Sequence, residues 1–545
     1  MTVLSIDIES YSDISLRKCG VYKYTESPSF KILLFGYAFD DDPVELIDLA
    51  NGEKLPKEVM EALVDKDVTK AAFNAQFERV CINRHFNLDT ANWWCTMIQA
   101  LSLGFPGSLE SVGKAIGLEP DKQKLRTGKK LIRLFSIPKK ITKSDQISMV
   151  KKKRVYTKED KPKEWQQFID YCKQDVEVER DIRKKLDRFK FPDFERRLYA
   201  LDQKINDAGV LIDIEMAQNA IDIDSTQTEK FTNIYREVTG LENPNSVAEI
   251  KKYIKKRTGS TIKSITKKNI DILKEDFSGF KDITTALDIR SKLSKTSIAK
   301  YQKMVEVPGD DNRARGLLQF YGASRTGRWA GRLIQLQNLP QNHIDDLDTA
   351  RKAVKTGDLE LLEMIYDDPS EILSQCIRTA IIPAEGKKFV VSDFSAIEAR
   401  VLSWLAGEKW RLDVFNSHGK IYEASASAMF KVPIEEITKG SPLRQKGKIS
   451  ELALGYGGSV GALKQMGALD RGLKLEELKP LVNSWRNSNP RIVRFWYETE
   501  NKVMDAIRNR ASMRINDKLR AEYKSSILFI RLPSGRKLAY VKPKL

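Results

Sequence analysis

The segment Val3-Leu-Ser-Ile-Asp-Ile-Glu9 places an immediate constraint on the fold. Apolar and polar residues alternate through it, with β-branched side chains among them, which predicts a strand. Side chains alternate across a strand, so Asp7 and Glu9 share one face. Two carboxylates on an otherwise apolar strand are costly to bury unless a cation neutralises them. Strand acids elsewhere simply face water. Either this strand has one wet face, or its acids belong to a metal site.

Neighbouring segments bear on that choice. Lys31–Phe39 predicts a second, more buried strand, and Phe105-Pro-Gly107 a turn. From Glu164 onward, Trp165, Phe168, Ile169, Cys172 and Val176 fall at helical spacing. On that helix Tyr171 and Asp175 lie at i and i+4, on one face. Asn74-Ala-Gln-Phe-Glu78 follows the apolar Ala71-Ala-Phe73. Asp7, Glu9, Glu78 and Asp175 thus offer four acids from three elements, beside a tyrosine. Such a set can hold two divalent ions ~3.5–4 Å apart, which bind a scissile phosphate, activate water and stabilise the leaving oxygen. Tyr171 is placed to orient the water.

Charge points to a polyanionic partner. Lys and Arg exceed Asp and Glu by 18, a surplus that suits nucleic acid or, more plainly, a well-solvated surface. Residues 122–163 hold sixteen Lys/Arg against three acids, a net of +13 within 42 residues. A block like that repels itself; it is expected to be a mobile loop, with or without a partner, or a phosphate-facing surface. Other classes drop out. No apolar run approaches the ~18 residues needed to cross a bilayer, and Asp7 stands where a signal peptide needs apolar sequence. The five cysteines are scattered without a CxxC pair, which argues against a disulfide scaffold or cysteine-bound zinc and fits a reducing compartment. At 545 residues the chain is too long for one core, and a prior of ~100–200 residues per domain suggests three to five units.

The later chain is mostly helical over 195–305, with a basic run at Lys251–Arg257. Residues 310–400 mix turns with strand-like pieces such as Lys388–Ser392, residues 400–525 are helical again, and Phe529–Val541 reads as a hairpin with Ser-Gly in its turn. No internal repeat stands out. Val390–Arg400 predicts a buried strand entering a helix, with Asp393 at the strand end and Glu398 and Arg400 on the first helical turns. That pattern fits a metal-binding acid, or an ordinary junction with an acid near a helix N-terminus. Arg444, Lys448, Leu452 and Tyr456 recur every four residues, drifting about 40° per step along one helix flank. Two cations followed by an apolar and an aromatic side chain suit a nucleoside triphosphate; a plain amphipathic helix has the same spacing.

The first constellation resembles the 3′→5′ proofreading exonucleases of the DEDDy type, which have an RNase H-like fold. The resemblance spans roughly residues 1–185 and includes Gly107-Ser-Leu-Glu110. It implies that Asp7, Glu9, Glu78 and Asp175 are the metal or metal-adjacent acids, that Asp7, Glu9 and Asp175 ligate metal, and that Tyr171 positions water. The second motif of that family normally carries Asp; here Glu78 moves the charge outward by about one C–C bond.

The second constellation resembles the family A, DNA polymerase I-like, DNA polymerases. Ile205-Asn-Asp-Ala-Gly-Val-Leu-Ile-Asp213 looks like the entry to their polymerase domain, and Ser324–Pro340 like their primer-template segment. The matches run in family order, and the divergent details look most like phage or prophage enzymes. By this resemblance Asp393 is a catalytic metal ligand of the palm, and Glu398 lies under the incoming sugar. Arg444 and Lys448 hold the triphosphate, Leu452 stands where the family has Phe or Tyr beside the nucleotide, and Tyr456 sits near the templating base. Arg328 touches the primer end and minor groove; Gln337 and Asn338 touch the duplex. Leu452 cannot stack on a base as a ring does, and Glu451 replaces the usual Asn.

The implied fold is multidomain α/β. An RNase H-like exonuclease domain (1–190) precedes a right-hand polymerase domain: entry and helical thumb (191–308), first part of the palm (309–400), helical fingers (401–525), and a returning palm segment (526–545) in a truncated palm. The implied function is DNA-templated DNA synthesis with proofreading for phage DNA replication. Mg²⁺ or Mn²⁺ is expected, two ions per site. Expected partners are primer-template DNA, single-stranded 3′ ends and deoxynucleoside triphosphates, with no membrane, in the bacterial host cytoplasm. The family's second palm acid, in a His-Asp-Glu motif after the nucleotide-binding helix, has no match between Gly457 and Leu545. His343-Ile-Asp-Asp346 fails on order. One palm Asp cannot hold two ions for in-line transfer. The alternatives are a noncatalytic DNA-binding remnant and a split polymerase completed by a C-terminal partner chain. The 545-residue chain alone is expected to digest 3′ ends but to extend primers weakly or not at all; primer extension at a rate normal for the family refutes this.

Overall fold

The computed structural model describes residues 2–118, 128–138, 155–266, 269–293, 297–323 and 326–545. The chain divides into two units, Met1–Lys388 and Phe389–Leu545.

Unit 1 begins with a five-stranded sheet of β1 (Val3–Tyr11), β2 (Lys31–Phe39), β3 (Glu45–Asp48), β4 (Thr69–Ala72) and β5 (Trp93–Cys95), ordered β3-β2-β1-β4-β5. β1, β2 and β3 pair antiparallel, while β4 runs parallel to β1 and β5 to β4. Alternation along β1 sorts its side chains. Leu4, Ile6 and Ile8 join a core with Phe35 and Tyr37 of β2, helix α1 (Lys57–Val64) and helix α2 (Gln76–Phe86). Ser5, Asp7 and Glu9 face the other way, toward the long helix α4 (Pro162–Leu186). Arg183 of that helix donates to Ser5 Oγ at 3.2 Å.

Helix α4 starts where Pro162 occupies its first turn and ends in Arg183, Lys184 and Lys185, which suit the negative end of its dipole. Trp165 at its start donates its indole N–H to the buried Asp48 at 2.9 Å. A further helix, α3 (Gly128–Phe135), lies against α4. Phe135 meets Trp165 edge-on at 4.9 Å and stacks on Phe168 at 5.3 Å. The basic stretch 122–163 is therefore not a loop throughout: Leu131 and Phe135 give it one apolar helical face. Its residues 122–127 and 139–154, and Ser324 and Arg325 of the primer-template resemblance, lie outside the described residues.

Helix α5 (Asp193–Ala208) leads into a small sheet of β6 (Val210–Ile212), β7 (Arg313–Ala314) and β10 (Ile381–Ile382). Asp213 then caps the 26-residue helix α6 (Ile214–Thr239), accepting from the Met216 N–H at 3.1 Å. Arg351 and Lys355 clasp its other oxygen at 2.5 and 3.1 Å. The described residues from α6 to residue 306 are mainly helical, as expected. A two-stranded ribbon of β8 (Leu318–Ala323) and β9 (Arg328–Gly331) packs Phe320 and Tyr321 into one core with Ala71, Trp94, Met97 and Ile98 of the first sheet region.

Unit 2 holds helices α7 (Ile397–Ala406), α8 (Lys409–Asn416), α9 (Ile421–Phe430), α10 (Pro442–Leu454), α11 (Leu475–Ser488) and α12 (Pro490–Arg508). An antiparallel sheet of β11 (Met513–Arg514), β12 (Arg520–Lys524), β13 (Ile527–Arg531) and β14 (Lys537–Val541) follows. The last two strands form the expected hairpin, and Gly535 supplies the positive φ of 85° in its turn. The expected buried strand at Lys388–Ser392 is absent. The segment is irregular, and Val390, Val391 and Phe394 are 87%, 90% and 77% exposed. A strand needs a neighbour for its backbone groups, and among the described residues no strand pairs with this one.

Within unit 1, Asp202 of α5 is 2% exposed and accepts from the Trp329 indole N–H at 2.7 Å. Burial pushes its carboxyl up to about 6, against the pull of the Trp329 and Gln203 hydrogen bonds. The folded state then binds this proton more tightly than the unfolded chain, whose Asp titrates near ~3.9. This group's contribution to stability therefore falls as pH rises from about 4 to about 6. Asp202→Asn should flatten that slope; thermal midpoints of both proteins between about pH 4.5 and 7 check it.

Candidate active sites

The first site is assembled by how closely α4 approaches the sheet. Asp7 on β1 pairs with Gly36 on β2, and both face α4. A Cβ on Gly36 would sit 3.1 Å from Val176 Cγ2 and 3.2 Å from Cys172 Sγ. The bare backbone lets the helix settle there, so that Cys172 Sγ lies 3.6 Å from Asp7 Oδ2. Tyr171 and Asp175 flank that contact on the same helix. Glu9 is 8% exposed, and Asp175 and Glu78 are 4% exposed.

The electrostatics agree with the packing. Burial first, then the charges of Asp175, Glu9 and Asp7, push the Tyr171 phenol far above its ordinary range. Burial and the same three acids raise the Cys172 thiol. Asp7, Glu9 and Asp175 therefore all act on one phenol. Glu78 comes from a different element. It stands in the first turn of α2, just beyond β4, which runs beside β1 with Ala71 opposite Ser5. Tyr171 is 2% exposed, its ring parallel to Phe168 at 6.5 Å and covered by Gly128, where a Cβ would come within 2.2 Å of the ring.

Carboxylates around a neutral phenol form a hard, oxygen-only donor set, the kind that suits Mg²⁺ or Mn²⁺. Among the described residues no group of three or more His, Cys, Asp or Glu is drawn together tightly enough to hold an ion. Like charges repel, so drawing them closer has a cost that a divalent cation offsets.

The second site lies in unit 2. Ser441 caps α10, accepting from the Arg444 N–H at 3.3 Å, and Pro442 opens the helix. Arg444 in the first turn donates Nε to Glu423 of α9 at 2.5 Å. Burial alone would raise the Glu423 carboxyl, but this hydrogen bond holds it below the usual range. Lys448 is half-buried one turn on, and Leu452 is 40% exposed. Tyr456 lies past the helix end, in a turn, rather than on the helical flank the spacing predicts. Its hydroxyl is nevertheless hydrogen-bonded to the Glu398 carboxylate, so these two predicted residues meet. Asp393 lies exposed in the irregular segment before α7.

Glu451, conspicuous in sequence only as a departure, turns inward. Arg411 of α8 grips both of its carboxylate oxygens, and Ser425 Oγ and Trp485 Nε1 each donate to Oε1 at 2.8 Å. Arg411 and Glu423 were not singled out in the sequence analysis. No local pattern marks them, since their partners lie 40 and 21 residues away. In unit 1, Arg328 opens β9, exposed, and Gln337 and Asn338 sit exposed in a short turn at Leu336–Asn338.

Comparison with known proteins identifies the family. The model of DNA polymerase family A matches residues 214–515, and that of a 3′-5′ exonuclease matches residues 25–189, beginning after Asp7 and Glu9. The chain belongs to the family A DNA polymerases and carries a 3′-5′ exonuclease domain. It is 53% identical to the DNA polymerase of Bacillus phage SP02, over the whole of this chain and 83% of that one. The thermostable DNA polymerase I of Thermus aquaticus is 35% identical over 127 residues, 23% of this chain and 14% of that one. A solved structure described as the POL domain of Pol1 from M. smegmatis in complex with DNA primer-template and dNTP shares the fold. Its TM-score is 0.58 at 15% identity, covering 98% of this chain and 78% of that one. No described helix is long and apolar enough to cross a membrane.

The close packing at Gly36 carries a stability prediction. Gly36→Val should cost about 1–3 kcal/mol by overpacking, measured by urea unfolding, and should slow exonuclease action by moving α4 off β1.

Proposed function

We propose that this polymerase degrades single-stranded 3′ ends at the centre formed by Asp7, Glu9, Glu78, Tyr171 and Asp175, and receives nucleotides along α10. The observation carrying the first assignment is the seating of α4 over Gly36, which gathers Asp7, Glu9 and Asp175 around one phenol. Asp7, Glu9 and Asp175 would hold divalent cations, Mg²⁺ or Mn²⁺, two per site, and such ions would stabilise charge at the scissile phosphate. Tyr171 stays neutral at any physiological pH, so it can hold a water by hydrogen bonding without adding charge. Its seat against Phe168 and Gly128 fixes the direction of its hydroxyl. Glu78 adds a fourth carboxylate through a longer arm than the family's usual Asp.

In unit 2, Arg444 and Lys448 would meet the triphosphate, with Glu423 holding Arg444 in place until a stronger anion arrives. The Tyr456–Glu398 pair would close the sugar side, Leu452 would line the base without stacking on it, and Asp393 would serve the palm metal. Arg328, Gln337 and Asn338 would contact the duplex, and primer-template DNA is the expected macromolecular partner. The similarity to a Bacillus phage enzyme supports a role in phage DNA replication. The buried, unpaired state of all five cysteines supports a reducing host cytoplasm.

Replacing Asp7 and Glu9 together by Ala should slow digestion of a 3′-labelled single strand by about three orders of magnitude, the loss of several kcal/mol of charge stabilisation. Digestion at the parent rate refutes the assignment.

A further inference from the structure

We propose that Arg411 is a positioning residue for nucleotide binding: its buried ion pair with Glu451 fixes the rotation of α10, and with it the aim of Arg444 and Lys448. This rests on the reading of α10 as the helix that receives the triphosphate.

The side chains of Arg411 and Glu451 are 1% and 2% exposed. Burying two charges is expensive, and an apolar pair of similar volume often serves stability as well or better. What the ion pair supplies is direction. A guanidinium engaging both oxygens of a carboxylate fixes the plane and bearing of its partner, which apolar contacts do not. Here the remaining polar atoms are held as well. Arg411 Nε donates to Ser403 Oγ at 2.8 Å and Nη1 to Asn489 Oδ1 at 3.0 Å. Ser425 and Trp485 complete the Glu451 end. One buried node thus joins α7, α8, α9, α10 and α11, with Asn489 at the junction of α11 and α12.

Glu451 is well placed to control α10. It lies seven residues after Arg444 and three after Lys448, within about 20° and 60° of them around the helix. Arg444 bonds α9 through Glu423, and Glu451 bonds α9 through Ser425, so one stripe of α10 is pinned near both ends. A rotation of about 20° would move a side-chain tip ~6 Å from the axis by about 2 Å. Misplacement on that scale is enough to cost a bound substrate its alignment.

The test compares the parent with the double variant Arg411→Met/Glu451→Leu, and with Arg411→Lys, which keeps the charge but loses the fork. dGTP binding is measured on a complex with a dideoxy-terminated primer-template, alongside the exonuclease rate on single-stranded DNA and the thermal midpoint. The double variant should keep the parent's exonuclease rate and fold, yet bind dGTP at least tenfold more weakly. Lys448→Ala should weaken dGTP binding in the parent and cost less in the double variant, a coupling that a merely structural role would not produce. Parent-like dGTP binding by the double variant, or equal Lys448→Ala penalties in both backgrounds, overturns the proposal. If the double variant does not fold, Arg411→Lys decides: several-fold weaker binding supports the proposal, and unchanged binding overturns it. If Lys448→Ala leaves dGTP binding unchanged in the parent, the reading of α10 falls, and this proposal with it.

Discussion

The first site depends on a backbone being allowed to touch a helix. At Gly36 the absence of a side chain lets α4 lie on the sheet face that carries Asp7. Without that seat, Tyr171 and Asp175 would stand off from β1, and its acids would be a wet edge rather than a centre. The aromatic layer of Phe135, Trp165 and Phe168 continues the same packed face of the helix, with Leu33 and Leu34 of β2. The fold stabilises this packing with apolar burial and accepts crowded carboxylates as the consequence, a local conflict of the sort that marks functional sites.

Unit 2 resolves a similar problem differently. Its buried Arg411 is paired with Glu451, and Ser403, Asn489, Ser425 and Trp485 hydrogen-bond to the pair. The two solutions suit two tasks. Acids that are to meet cations gain from being gathered on one face. A helix that must present cations to an anionic substrate gains from a rigid internal anchor.

Much of this was legible in the amino-acid sequence because it is local. Strand β1 follows from alternation and β-branching, β2 from a nearly continuous apolar run, and α4 from the spacing of Trp165, Phe168, Cys172 and Val176. The terminal hairpin follows from its Ser-Gly turn. The failures are equally physical. Lys388–Ser392 has the composition of a buried strand, yet strand formation is settled by pairing, which composition does not contain. In the basic stretch 122–163 charge dominates the pattern and masks the two apolar positions that make part of it a helix, Leu131 and Phe135. Tyr456 kept the helical spacing past the point where α10 ends at Leu454. Arg411 escaped notice because its meaning comes from a partner 40 residues distant.

The Arg411–Glu451 pair also limits how this polymerase can be recombined. The family resemblance puts Asn at the position of Glu451 in related polymerases. Grafting such a relative's corresponding helix onto this scaffold would leave the Arg411 guanidinium buried without its counter-charge, a defect of several kcal/mol. The exchangeable module is therefore not α10 but α8 and α10 together, two helices that the chain separates and the core makes inseparable.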